Sequence, residues 1–344
     1  MEFKKRVWAF LLLCAILFAV CAFTPYGSLN PRAAPAARPV LLPGGTPFGV
    51  KFFTRGVIVV GVTDIESYDG IASPAKDAGI RSGDVITAVN GMQVNTTEEL
   101  AEAVNASKGA DTVFTVLRGD EQFAVTVKPK RSVSDNLYRS GLWVRDSTAG
   151  IGTVTYVDPS TGRFGGLGHG ICDPDTGNPL PMLKGVVCGV TVTGVIKGRR
   201  SEPGELIGEF SLKTAGALEK NTECGVFGVL DDTEAFVFSP MEICYSGEMK
   251  TGKAQILATV EGAAPRLYEI RIVRIYENSG STKNFLLEVT DKALLEKTGG
   301  IVQGMSGSPV IQNGRICGAV THVMISDPAR GYGIFIENML DSQE

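Results

Sequence analysis

At 344 residues the chain is long enough to bury two separate cores. A formal net charge of −4 with 20% charged residues leaves no basic face of the kind nucleic-acid binding requires. Forty-two glycines among 44% hydrophobic residues suit a turn-rich, all-β protein better than a disordered one. At the N-terminus Lys4, Lys5 and Arg6 precede an uncharged run from Val7 to Phe23, short for a membrane span and long for a signal-peptide core. No clean small-x-small cleavage site follows, so residues 1–24 read as a retained anchor or signal, with its positive end in the cytosol and the rest extracytoplasmic. Residues 25–43, and on to 46, carry Pro25, Pro31, Pro35, Pro39 and Pro43 and read as an extended tether.

A small domain is predicted next, over 44–130. Gly49–Phe53 and Val57–Val62 read as strands, and Ser73-Pro74 as a helix start. A strand Val85–Val89, an Asn90-Gly91 turn, a helix from Thr97 to Ala106 and two alternating strands, Thr112–Arg118 and Gln122–Lys128, complete it. This order, with AGIRSGDVITAVNGMQV at 78–94, resembles a bacterial PDZ domain of the kind attached to envelope proteases. Such domains bind an extended peptide beside a sheet edge. The resemblance places Phe48, Gly49 and Val50 in the carboxylate-binding loop, with Phe48 equally readable as a core residue.

From residue 131 to 344 the pattern becomes many short apolar strands, among them 152–157, 186–196, 225–230, 254–260 and 267–276, with one helix expected near 291–297. A β-barrel or sandwich follows from that spacing. Cys172, Cys188, Cys224, Cys244 and Cys317 are widely separated and form no C-x-x-C pair, which argues against a zinc ribbon and reads as buried small residues. No metal or cofactor is implied.

The chemistry concentrates in Gly304-Met305-Ser306-Gly307-Ser308-Pro309. Acyl transfer needs a hydroxyl exposed on a tight turn with backbone N–H groups aimed at the developing oxyanion. Ser306 is the candidate nucleophile, and the N–H groups of Gly304 and Ser306 are the candidate oxyanion hole. The plain alternative is a loop between strands, since Gly, Ser and Pro dominate turns. After the turn, Pro309–Ile311 and Ile316–Val320 flank Asn313-Gly314, a strand–hairpin–strand signal.

That hairpin resembles the nucleophile hairpin of chymotrypsin-like serine peptidases. The longer string VTDKALLEKTGGIVQGMSGSPVIQNGRICGAVTHV, 289–323, is similar to the SpoIVB peptidases of spore-forming bacteria. The resemblance implies a mainly β fold: a small α+β PDZ domain followed by a chymotrypsin-like double β-barrel, behind one N-terminal transmembrane helix.

Two histidines are available as base. His169 sits between glycines, precedes the serine and matches the family's G-H-G motif. His322, after the nucleophile hairpin, reads as a pocket wall or core histidine. The family motif assigns the third triad member to Asp291, but Asp291 can equally be an N-cap for the segment that follows. Asp231 and Asp232 are the fallback and look like a hairpin tip. The resemblance implies a membrane-tethered serine endopeptidase of sporulation in the space between the two membranes around the developing spore. It would cleave itself and a membrane-bound regulator of the sigma-K activation step. Two other readings are a catalytically idle PDZ scaffold and an HtrA-like quality-control protease, which would carry its PDZ domain after the protease domain.

Overall fold

The computed structural model describes residues 38–173, 177, 179–234, 236–276 and 282–344. The expected anchor of residues 1–24, and the tether up to residue 37, lie outside the described residues. Among the described residues no helix is long and apolar enough to cross a membrane.

Strand β1 (Val40–Pro43) leads into β2 (Pro47–Val62), a single 16-residue strand where the sequence suggests two. Its first half, through Thr54, pairs with strands of the later domain; its second half, from Val57, belongs to the PDZ fold. The changeover is a bulge at Thr54–Gly56, where Gly56 has φ +84° and the Thr54 hydroxyl lies 2.7 Å from the Gly56 carbonyl. Even-numbered Phe48, Val50, Phe52 and Ile58 face one core, and odd-numbered Val57 and Val59 the other.

The PDZ fold continues through helix α1 (Pro74–Asp77), β3 (Val85–Val89), helix α2 (Thr97–Ala106), β4 (Thr112–Arg118) and β5 (Glu121–Val127). Thr96 caps α2 in a reciprocal capping box with Glu99. Leu100 and Val104 on its inner face pack with Ile86, Val89, Phe114 and Val116. The buried Asp84 carboxylate is held by Arg118 across the fold at 2.7 Å.

The chain then returns as β6 (Leu142–Val157), antiparallel to β2 along both halves. It continues into β7 (Arg163–Gly166), β8 (Met182–Ile196), β9 (Glu205–Thr222) and β10 (Gly225–Leu230). The pairings β2–β6–β7–β10–β9–β8 close back on β2, forming a first barrel around Phe48, Phe52, Phe164 and Val187. A second closed barrel comprises β11 (Gly252–Ala258), β12 (Arg266–Ile275), β13 (Phe285–Val289), β14 (Pro309–Gln312), β15 (Arg315–Val323) and β16 (Arg330–Phe335). Helix α3 (Lys292–Thr298) follows β13, and α4 (Ile336–Gln343) ends the chain.

The double barrel is present, residues 47–54 are one of its strands, and the PDZ fold lies between the first two strands of the first barrel. Of the cysteines expected in the interior, Cys244 and Cys317 are buried, Cys188 and Cys224 are half-buried, and Cys172 is exposed.

Candidate active site

The nucleophile turn is gripped by both barrels. From β6 of the first barrel, the Thr153 N–H donates to the Ser306 carbonyl at 2.9 Å. Two β6 hydroxyls add to this, Thr153 to the Gly304 carbonyl and Thr155 to the Gly307 carbonyl, each at 2.8 Å. From the second barrel, the Val320 carbonyl accepts from the Gly307 N–H at 2.8 Å. Gly307 has φ +97°, and a Cβ there would stand 1.9 Å from the Thr153 carbonyl oxygen, so a side chain would push the turn off the first barrel.

With those groups paired, the N–H groups of Gly304 and Ser306 donate to nothing among the described residues. Two free donors flanking the serine hydroxyl are what an oxyanion hole requires. The hydroxyl itself donates to the Thr321 carbonyl at 2.8 Å.

His169 follows β7 in the first barrel, and His322 lies on β15 of the second. Their rings meet with centroids 5.0 Å apart and planes 37° apart. His322 immediately follows Thr321, whose carbonyl holds Ser306, so both histidines and the serine gather where the barrels meet. His169 Nδ1 is 2.9 Å from the Gly170 carbonyl. Burial lowers the His169 pKa, and the Gly170 carbonyl acts in the opposite sense. His322 is pushed down to about 4, first by burial and then by the charges of His169 and Lys283. Its Nδ1 is buried without a hydrogen-bond partner among the described residues.

Asp291 caps α3: its Oδ1 accepts from the Leu294 N–H at 2.9 Å, and its own N–H donates to the Glu269 carbonyl. Through the register His322↔Tyr332↔Leu286, the histidine lies level with Leu286, near the start of β13. Asp291 stands five residues further on, two past the end of β13, and is the N-cap of α3. Asp231 and Asp232 are exposed beyond the end of β10, so the fallback is not met. Among the described residues no carboxylate is hydrogen-bonded to His169.

The peptide-binding expectation for Phe48, Gly49 and Val50 is also corrected. These residues lie in mid-sheet between β6 and β8, pairing with Gly150–Gly152 on one side and Val187–Gly189 on the other. Both backbone edges are occupied, so no peptide can add there as a strand. Phe48 is a core residue, edge-on to Phe164 with centroids 5.8 Å apart. The described residues contain no group of three or more His, Cys, Asp or Glu able to hold a metal ion.

Sequence analysis did not single out Asn221, near the end of β9. Its side-chain amide makes three hydrogen bonds to the backbone around His169 and Leu180. An Asn at a strand end carries no local signal of that reach.

Comparison with known proteins matches residues 136–340 to the SpoIVB peptidase S55 family and residues 48–128 to the PDZ domain. A curated relative, a probable periplasmic serine endoprotease DegP-like protein of Chlamydia trachomatis, is 38% identical over 72 residues. That segment is 21% of this chain and 13% of the relative, so the chain spans a small part of that protein's length. Among solved structures, the protease Rv3671c of M. tuberculosis is similar in its inactive form at 16% identity and TM-score 0.30, over 56% of this chain and 80% of that one. Its active form matches at 16% identity and TM-score 0.31, over 57% and 73%.

Proposed function

Because the chain belongs to the SpoIVB peptidase S55 family and is a serine peptidase, we propose that it acts as an endopeptidase through Ser306 and His169, tethered to a membrane by its N-terminal segment. The observation that carries the site assignment is the gathering of Ser306, His169 and two free backbone donors at the contact of the barrels.

In this reading the Ser306 side chain turns by one rotamer step from the Thr321 carbonyl toward His169. His169 takes the hydroxyl proton as the oxygen attacks a peptide carbonyl, and the N–H groups of Gly304 and Ser306 receive the oxyanion. His169 then returns the proton to the leaving amine, and water hydrolyses the acyl-enzyme.

The substrates proposed are protein chains: the enzyme itself, cut within residues 25–46, and a membrane-bound regulator in the sporulation step leading to sigma-K activation. The setting proposed is the intermembrane space of the developing spore. A peptide ligand of the PDZ module would enter the cavity of about 600 Å³ between Thr63–Glu66 and Leu100 and Val104 of α2.

Mass spectrometry of the purified full chain after incubation, wild type beside Ser306→Ala, tests this reading. Expected are N-termini between residues 25 and 46 in the wild type only. Identical intact masses in both would remove self-cleavage, and equal turnover of an added protein substrate would remove Ser306 as nucleophile.

A further inference from the structure

Two cysteines that the peptidase reaction does not use are brought side by side where the chain passes from the first barrel to the second. Met241 and Glu242 pair with β1, and Ile243 then lies parallel to β15, in register with Ile316. The Ile316 carbonyl accepts from the Cys244 N–H at 2.8 Å. In that register the next pair along is Cys244 and Cys317.

Alternation along the two segments puts both sulfurs on one face. Ile243 and Ile316 pack with Leu41 and Ile334, whereas Cys244 and Cys317 turn the other way, into the core of the second barrel with Met249 and Ile256. Neighbouring strands lie about 4.8 Å apart. A disulfide needs α-carbons roughly 4.4–6.8 Å apart, so the register already meets that requirement. The structure shows both residues as thiols. Their closeness is felt at Cys317, whose pKa is raised first by the Cys244 thiol and then by burial.

We infer that Cys244 and Cys317 are a disulfide-forming pair, a covalent brace between the segment that joins the barrels and the strand that carries Thr321 and His322. The extracytoplasmic setting proposed above enters only as the source of the oxidant, a protein or small-molecule disulfide. One thiolate of the pair attacks that disulfide and expels one thiol; the other attacks the resulting mixed disulfide and expels the second. Two protein thiols are thereby oxidised, the external disulfide is reduced, and the two protons end on its two thiols. Cys244 and Cys317 are 5% and 0% exposed, so the exchange takes place while the second barrel is closing, and the folded barrel then shields the bond. The two stand 73 positions apart, so the link constrains a long loop of the unfolded chain.

The test is cell-free synthesis of the full chain in detergent, once with dithiothreitol and once with glutathione disulfide, followed by alkylation of the remaining thiols in denaturant and peptide mass mapping. Expected with glutathione disulfide is a peptide pair joined through Cys244 and Cys317, with Cys172, Cys188 and Cys224 alkylated. Its melting temperature should lie about 10 °C above that of the reduced preparation. Cys244→Ala should abolish both the cross-link and the difference between preparations while retaining turnover. Alkylation of both Cys244 and Cys317 in the chain made with glutathione disulfide overturns the proposal whether or not Cys244→Ala folds, as does a bond from either to another cysteine. Equal melting temperatures of the two preparations overturn the brace. Mapping the chain extracted from cell membranes separates the two levels: a cross-link formed in vitro but missing there refutes the oxidising setting, whereas failure in vitro refutes the pair alone.

Discussion

The Ser306 hydroxyl is held by the main-chain oxygen of Thr321, 2.8 Å away, and not by an imidazole. The candidate nucleophile thus rests on a backbone acceptor of the strand that also carries His322. Ser306→Ala removes one hydrogen bond, about 1 kcal/mol of stability. It should lower kcat far more, by roughly 10⁶ if it behaves like removal of the subtilisin nucleophile. Thermal melts and turnover on one preparation check both. A large loss of stability accompanying a small loss of turnover would assign Ser306 a structural role.

Asp291 caps α3, while the family motif gives it the triad role. An asparagine caps a helix about as well as an aspartate, so Asp291→Asn should keep both melting temperature and turnover near the wild type. Asp291→Ala should cost about 1 kcal/mol of stability and leave kcat nearly unchanged. A kcat of Asp291→Asn reduced by orders of magnitude in a normally folded protein would restore the carboxylate to the mechanism.

His322 makes folding sensitive to acid. Burial, His169 and Lys283 lower it to about 4, while in the unfolded chain an imidazole titrates near 6.5. Between those values the unfolded state binds more protons, so this contribution to stability falls as pH drops from about 6.5 toward 4 and is level above that window. His322→Gln removes the titration and should flatten that part of the melting-temperature curve. Parallel curves for variant and wild type would show that other groups set the acid limit.

Gly49 is a packing position. A Cβ there would lie 2.3 Å from the Phe210 ring and 2.7 Å from Cys188 Sγ. Gly49→Val should therefore destabilise the first barrel, by about 1–3 kcal/mol as overpacking does, and reduce activity toward small esters and proteins alike. Loss of protein cleavage alone, with unchanged melting temperature and esterase activity, would return the position to peptide capture.

The legible parts of the sequence were those whose cause is local. Asn313 and Gly314 take φ +53° and +74°, the backbone a two-residue hairpin turn demands, so the strands on either side could be read directly. Ser306 and His169 stood out because small residues flank both. The unbroken β2 was hidden because Thr54-Arg55-Gly56 interrupts the apolar run, and what carries the strand through is pairing with β6 about ninety residues later. Asn221 was invisible for the same reason: its partners lie 41 and 50 residues away. Asp291 carried two readings in one motif, and the cap is the one that its contact with the Leu294 N–H displays.

The path of β6 bears on how a signal could reach the nucleophile. One end, Leu142–Arg145, is laced to the PDZ half of β2; the other presents Thr153 and Thr155 to the nucleophile turn. A strand of sixteen residues, about 50 Å long, spans the two without a linker. The PDZ fold and the nucleophile turn are thus two ends of one strand, whose register shifts fall at 143–147, on the PDZ side of the threonines.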